Sequence, residues 1–211
     1  MKINCDKTKF ISFNPTEKFD FILEYERSGK IIETEEESKI LDLILRNDLW
    51  RSYTDSMIRK AYSRLWMIKR LKQAGASLED MSDVYIKQIR SVLEFGVPVW
   101  NSALTKEEIH DIERVQSTFL HIVLGLKYSS YEHALGLANL ETLQSRRQTI
   151  CERFVLKAAR HPKHQHWFQP SNPNAPNTRI QKLEYKQPLC RFLRFKKTPI
   201  PYLTSLLNKK L

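Results

Sequence analysis

The sequence is poor in the residues that build phosphate-binding loops, disulfide frameworks and membrane spans. It has only 5 glycines, and they are too widely spaced to form a Gly-rich phosphate loop. Its 3 cysteines are an odd number at scattered positions, which argues against a disulfide framework and favours an intracellular, nuclear or cytoplasmic, location. No run approaches the ~20 apolar residues of a membrane helix, and the N-terminus lacks the apolar region of a secretory signal. We therefore expect no membrane partner.

Signatures of catalytic and metal sites are also missing. The sequence contains no Gly-x-Ser-x-Gly, no His-Glu-x-x-His and no Cys-x-x-Cys. The nearest approach to a metal-binding set is Cys151, His161, His164, His166 and Cys190. Ligands of structural zinc usually pair at spacings of about two to five residues, so exposed histidines near a helix end are favoured over zinc. We predict no metal, no cofactor and no small-molecule substrate for this chain.

Positive charge is plentiful but concentrated in the C-terminal third. The formal net charge is +11, and residues 141–211 contain 15 Lys and Arg against 3 Asp and Glu, whereas residues 1–140 contain 20 against 21. A basic segment of this kind suits nucleic acid or another anionic surface. The alternative is a tail that serves only solubility.

Residues 1–53 have the pattern of a small antiparallel sheet. Apolar or alternating runs at residues 9–13, 19–26, 30–33 and 39–45 predict four short strands. Turn signals at residues 14–15 and 28–29 separate the first three, and the acidic residues 34–38 predict a loop.

From residue 54 to residue 160 the pattern is helical. Ser77-x-x-Asp80 and Thr105-x-x-Glu108 have the form of capping boxes, and Ser130 and Thr142 precede two further helical segments. Gly75, Gly96 and Gly125 are placed where helices would stop. The fold class is therefore α+β, mostly α: a short sheet followed by about five helices.

Residues 55–72 predict a helix with two different faces. Its apolar residues at helical spacing share one side: Ile58, Ala61, Leu65 and Ile68. Basic residues share the other side: Arg59, Lys60, Arg64 and Arg70. This pattern is typical of a helix that packs on a core and presents cations to a polyanion. An ordinary core helix with a solvated basic face gives the same pattern.

The segment 169–211 begins with a Pro/Asn-rich linker at 170–177, and we expect it to be largely extended or disordered unless bound. Basic residues interleave with aromatics there and on the 55–72 helix, which favours nucleic acid because cations neutralise phosphates and rings stack on bases. Besides those of the helix, the predicted contact residues are Arg146, Arg147, Arg191, Arg194, Lys196 and Lys197.

Several motifs together resemble the C-terminal part of non-LTR (LINE-type, jockey-like) retrotransposon reverse transcriptases. Those of the palm end and the first thumb helix are Asn4-x-x-Lys7-Thr8-Lys9-Phe10, Leu41-Asp42-Leu43-Ile44 and Lys60-Ala61-Tyr62-Ser63-Arg64-Leu65. Those that follow in family order are Arg90-Ser91-Val92-Leu93-Glu94, Val97-Pro98-Val99-Trp100, Ile112-Glu113-Arg114-Val115-Gln116, Leu140-Glu141-Thr142-Leu143, Arg146-Arg147 and Pro199-Ile200-Pro201-Tyr202-Leu203. The ordered series covers nearly the whole chain.

The resemblance implies three regions and a partner. Residues 1–53 would be palm-end hairpins, residues 54–168 a helical thumb with its extension, and residues 169–211 a linker and basic tail. In the family the thumb holds the template–primer duplex, so the implied partners are RNA, DNA or an RNA–DNA duplex. Lys7 corresponds to a family lysine near the incoming nucleotide. Asp42 stands where the family usually has Gly, and a charged residue in that strand is expected to distort the hairpin.

The resemblance also implies what this chain does not supply. The family's catalytic aspartates, which hold two divalent ions, expected to be Mg²⁺, match no position in this sequence. We therefore expect a truncated remnant that binds nucleic acid but is not an enzyme and has no catalytic residues. Two alternatives remain: the C-terminal part of a complete RNA-directed DNA polymerase whose palm lies upstream, or a vestigial helical scaffold for protein interaction.

Overall fold

Most of the described chain is helical, and the strands that precede the helices are short and antiparallel. A computed structural model describes residues 9–11, 23–24, 31–32, 35–46, 50–171 and 184–210. This architecture confirms the predicted α+β, mostly α class. The chain divides into two compact units, residues 1–57 and 58–211.

The first unit contains a hairpin where a single strand was expected. Strand β3 (Glu37–Ile40) pairs antiparallel with β4 (Leu43–Arg46). Leu41 and Asp42 form the turn, with φ angles of 49° and 68°. The prediction of one strand over 39–45 was therefore wrong, because Leu-Asp lacks the glycine that usually marks a two-residue hairpin turn. The loop predicted over 34–38 ends two residues earlier, since Glu37 and Ser38 belong to β3.

The same turn changes the interpretation of Asp42. Asp42 was expected to lie in a strand and to distort the hairpin, but it lies in the turn between the two strands. Asp is one of the residues that tolerate a left-handed backbone best after glycine. Its carboxylate also pairs with Lys39 across the turn. Leu41, at a positive φ and largely exposed, is the residue that bears the backbone strain.

A second two-stranded ladder joins β1 (Leu23–Glu24) to β2 (Ile31–Ile32). In the described residues the two ladders are separate and do not form one four-stranded sheet. The predicted turns at 14–15 and 28–29 lie outside the described residues.

The five predicted helices occur in the predicted order, and the described residues also contain three helices that were not predicted. The helices of the described residues are α1 (Arg51–Gln73), α2 (Leu78–Val84), α3 (Ser91–Glu94), α4 (Val97–Trp100), α5 (Lys106–Leu124), α6 (Tyr131–Leu137), α7 (Leu143–Arg160), α8 (Leu193–Lys196) and α9 (Pro199–Lys210). The three that were not predicted are α4, α8 and α9. A π-helical segment, Tyr85–Arg90, joins α2 to α3 without a break. The division between the two units falls within α1.

Helix starts and stops follow the predicted local chemistry. The side chains of Ser77, Thr105, Ser130 and Thr142 each accept a hydrogen bond from a first-turn N–H. At Thr105 the capping box is complete, because Glu108 accepts from the Thr105 N–H at 2.8 Å. Gly75, Gly96 and Gly125 all have positive φ, as a helix stop of this kind requires.

The core of the second unit contains a polar hub centred on Gln116 of α5. Tyr85 stacks on Phe119 with ring centroids 4.1 Å apart. Beside them the buried Gln116 accepts from the Tyr85 hydroxyl at 2.8 Å and donates to the Tyr131 hydroxyl at 3.1 Å and the Glu141 carbonyl at 2.8 Å. These bonds use both donors of the amide and its acceptor, so Gln116 is buried without an unpaired polar atom.

Helix α9 corrects the expectation of an extended tail. Pro199–Lys210 is helical and packs against α7, with Leu203, Leu206 and Leu207 buried. Prolines are tolerated here because Pro199 and Pro201 occupy the first turn, where backbone N–H groups have no partner within the helix. The chain before it is also tied down, since Tyr185 exchanges hydrogen bonds with the Asn208 side chain at 2.9 Å.

We expect Cys151 to resist alkylation in the folded protein. It is buried in α7, and burial raises the pKa of its thiol to about 11. At pH 8 the thiol therefore stays protonated, and the thiolate is the reactive form. Iodoacetamide labelling at pH 8 followed by peptide mass mapping should modify the half-buried Cys190 before Cys151. Labelling of Cys151 at the same rate with and without urea would contradict its burial.

Candidate nucleic-acid interface

Helix α1 has the two faces that the sequence predicts. Ala61, Leu65 and Ile68 are buried, and Ile58 is half-buried. On the opposite side Arg59, Lys60, Lys69 and Arg70 are exposed. Across the whole helix seven Lys and Arg stand against the single acidic residue Asp55. We call the exposed side from Arg59 to Arg70 the basic face.

Arg64 lies at the edge of the basic face and has a structural contact. Its Nη1 donates to the carbonyl of Gln88 in the π-helical segment, and the side chain is partly buried. Lys72 is similar, since its ammonium donates to the carbonyl of Ile122 in the last turn of α5. A cation there is favourable because helix C-termini carry partial negative charge. Both side chains fix α1 to its neighbours.

Aromatic rings interrupt the basic face. The side chain of Trp66 is 61% exposed and that of Tyr62 is 38% exposed. Neither belongs to the buried side of the helix, so both rings are accessible beside the cations. A basic surface with accessible rings can bind phosphates and bases together.

The prediction that Arg147 contacts nucleic acid is wrong. It is only 2% exposed, so its guanidinium cannot reach a ligand on the surface of the folded chain. Its Nε donates to the Asn101 side chain at 3.2 Å, and Asn101 in turn donates to the Tyr202 hydroxyl at 3.1 Å. Burial lowers the pKa of Arg147. Arg147 therefore holds α7, the segment after α4 and α9 together.

Arg146 is also engaged within the fold. Its Nε and Nη2 both donate to the carboxylate of Glu94, at 2.9 and 3.1 Å, and this hydrogen bonding raises the pKa of Arg146. Arg90 approaches the same carboxylate at 3.4 Å. Such a bidentate pair is geometrically specific. Arg146 is thus mainly a link between α3 and α7, with part of its surface still exposed.

The exposed cations of α7 lie further along the helix. Arg153, Lys157 and Arg160 are exposed, and Phe154 is exposed beside them. Their i, i+4, i+7 spacing places the three cations on one side of α7. The adjacent pair Arg146-Arg147 is not the basic surface of α7, and the helical spacing of the cations is the better signal for it.

The tail presents a third basic surface. Arg191, Lys196 and Lys197 are exposed, and so are Phe192 and Phe195. Arg194 lies in α8, but its side chain is outside the described part of the structure. The segment is anchored because the Ser102 hydroxyl donates to the Lys197 carbonyl at 2.6 Å. Lys7 lies outside the described residues.

The residues that the structure describes contain neither a metal-binding cluster nor a membrane-spanning helix. No group of three or more His, Cys, Asp or Glu side chains is arranged to hold a metal ion. None of the described helices is both long and apolar enough to cross a membrane. Of the histidines considered for zinc, His161 and His164 lie with their ring centroids 4.9 Å apart, and His166 and Trp167 follow.

Comparisons with protein-family models, curated proteins and solved structures found no match for this chain.

Proposed function

We propose that the second unit binds nucleic-acid backbones without sequence preference, as the thumb of a LINE-type reverse transcriptase does, and that this chain has no polymerase activity of its own. The basic face of α1 carries the proposal. Its cations point away from a buried apolar side that fixes the helix in place. Phosphate neutralisation by Lys and Arg supplies most sequence-independent affinity.

Several of the resembling motifs pack on one another within the second unit. Glu94 of one motif binds Arg146 of another at 2.9 Å. Gln116 donates to the carbonyl of Glu141 at 2.8 Å. Motifs distant in sequence thus meet in one folded unit. Packing of this kind is expected of motifs that have a structural role.

A salt titration tests the proposal. If about four phosphates are neutralised, affinity for a duplex should fall roughly 100-fold between about 50 and 200 mM salt, because each contact releases a counterion. Fluorescence anisotropy with a labelled RNA–DNA duplex measures this. No binding at low salt, or an affinity that does not change with salt, would refute the proposal.

The scaffold alternative has one observation in its favour. Leu189, Phe192 and Leu193 are each at least 75% exposed, within five residues of one another. Exposed apolar side chains in such a group often mark a protein contact. Substituting the cations of α1 distinguishes nucleic-acid binding from a protein-interaction scaffold. The first function requires those cations, and the second does not.

A further inference from the structure

Trp66 differs from the buried tryptophan of the same unit in the environment of its ring. It lies within the 23-residue helix α1, yet most of its side chain is in solvent. Trp100, in contrast, is fully buried and donates its Nε1 proton to the Phe95 carbonyl at 2.8 Å. A single exposed apolar residue is common and needs no explanation. The residues around Trp66 are what make it a candidate contact.

Trp66 lies in a stripe of exposed residues with cations before and after it. At about 100° per residue, Arg59, Ser63, Trp66 and Arg70 fall within roughly 60° of the helix circumference. The stripe is about 16 Å long at 1.5 Å per residue. Arg70 follows Trp66 by one turn and Arg59 precedes it by two. All four side chains are exposed, and so are Tyr62 and Lys69 on one flank.

We propose that an unpaired base of single-stranded nucleic acid stacks on Trp66 while Arg59 and Arg70 bind phosphates on either side of it. The inference rests on the proposed function and names its ligand. Every base has a π face, so stacking on an aromatic ring gives affinity without sequence preference. Inside a duplex both faces of each base are covered by its neighbours. A ring in this position therefore selects unpaired strand over continuous duplex.

The length and charge of the stripe fit this ligand. A stacked strand advances about 3.4 Å per nucleotide, so a stripe of about 16 Å corresponds to roughly five nucleotides. The helix α1 has seven basic residues and only one acidic residue. Because its charge is almost entirely positive, a polyanion is the favoured ligand. The centre of a protein–protein interface is usually depleted of charge, and Trp66 has cations along its own stripe.

Substitution of Trp66 tests the inference on two ligands. Trp66→Ala should weaken binding of a ten-nucleotide oligo(dT) by roughly tenfold, because stacking on the ring is lost. Affinity for a blunt-ended duplex should change by less than about twofold, since phosphate contacts remain. Trp66→Phe, which keeps an aromatic face, should retain most of the single-strand affinity. Trp167→Ala is the matched control, because Trp167 is also exposed but lies outside α1.

The outcomes separate the inference from the proposed function. Equal affinities of Trp66→Ala and the native chain for oligo(dT) would overturn the stacking contact, as would an equal loss on both ligands. The backbone-binding function would survive either result if the duplex still bound with steep salt dependence. Binding of polyglutamate that depends on Trp66 while binding of oligo(dT) does not would also overturn it. If Trp66→Ala does not fold, fluorescence quenching by oligo(dT) tests the stacking contact instead. The tryptophan fluorescence of the native chain should fall when oligo(dT) binds, and that of Trp66→Phe should fall much less. Equal quenching of both would overturn the contact.

Discussion

Replacing Arg59, Lys60 and Arg70 with Gln is expected to lower the affinity for an RNA–DNA duplex by on the order of 100-fold at about 50 mM salt. All three side chains are exposed on the basic face, and each would displace a counterion from the nucleic acid. The slope of log K against log salt should flatten by about 2.7, at 0.9 per lost phosphate contact. Stability should change little, because Gln is a good helix former and the buried side of α1 is untouched. Anisotropy titrations at several salt concentrations measure both quantities.

The matched control removes the same charge elsewhere in the second unit. Lys106, Arg114 and Lys127 are also exposed but belong to α5 and the turn after it. Their combined substitution by Gln should change affinity far less than the α1 variant does. Equal losses would mean that net charge drives binding and the basic face of α1 does not. Unchanged binding by the α1 variant would favour the helical scaffold or the tail.

Local signals in the sequence were sufficient for the five helices predicted between residues 54 and 160. Caps and stops act over three or four residues, so Thr105 with Glu108 and Gly125 define α5 from its own sequence. The buried side of α1 followed from periodicity in the same way. The apolar pattern alone did not reveal the hairpin at 37–46, because its turn, Leu41-Asp42, lacks the usual turn residues and interrupts an apolar run.

The roles of the arginines could not be predicted from local pattern. Arg146 and Arg147 are adjacent, and a basic pair suggests a surface. Adjacent helical residues, however, point about 100° apart, so Arg147 faces the core while Arg146 meets Glu94. Their partners are 52 and 46 residues away in sequence. A residue's role in such contacts depends on tertiary packing, and the same holds for α9, whose apolar side is covered by α7.

Glu113→Ala is expected to lower the free energy of unfolding by about 3 kcal/mol, because the carboxylate serves three donors at once. It accepts from the Tyr131 hydroxyl at 2.6 Å and from the backbone N–H groups of Leu143 and Gln144 at 3.2 and 2.6 Å. Those two N–H groups begin α7, where an acceptor also opposes the positive end of the helix. The substitution therefore weakens both the start of α7 and its link to α5. Urea denaturation followed by circular dichroism measures the loss.

Asp111→Ala provides the comparison, since it removes the same charge two residues earlier in α5. Asp111 pairs with Arg114 at 3.5 Å, and the side chain of Arg114 is largely exposed while that of Asp111 is partly exposed, so its loss should cost less than about 1 kcal/mol. Tyr131→Phe in the Glu113→Ala background should cost less than in the native chain, because the hydroxyl has already lost its acceptor. If Glu113→Ala and Asp111→Ala were equally stable, the carboxylate of Glu113 would not hold α7. The motif that contains it would then need a role outside the packing of the helices, and the surface of α5 would become the place to look for a ligand.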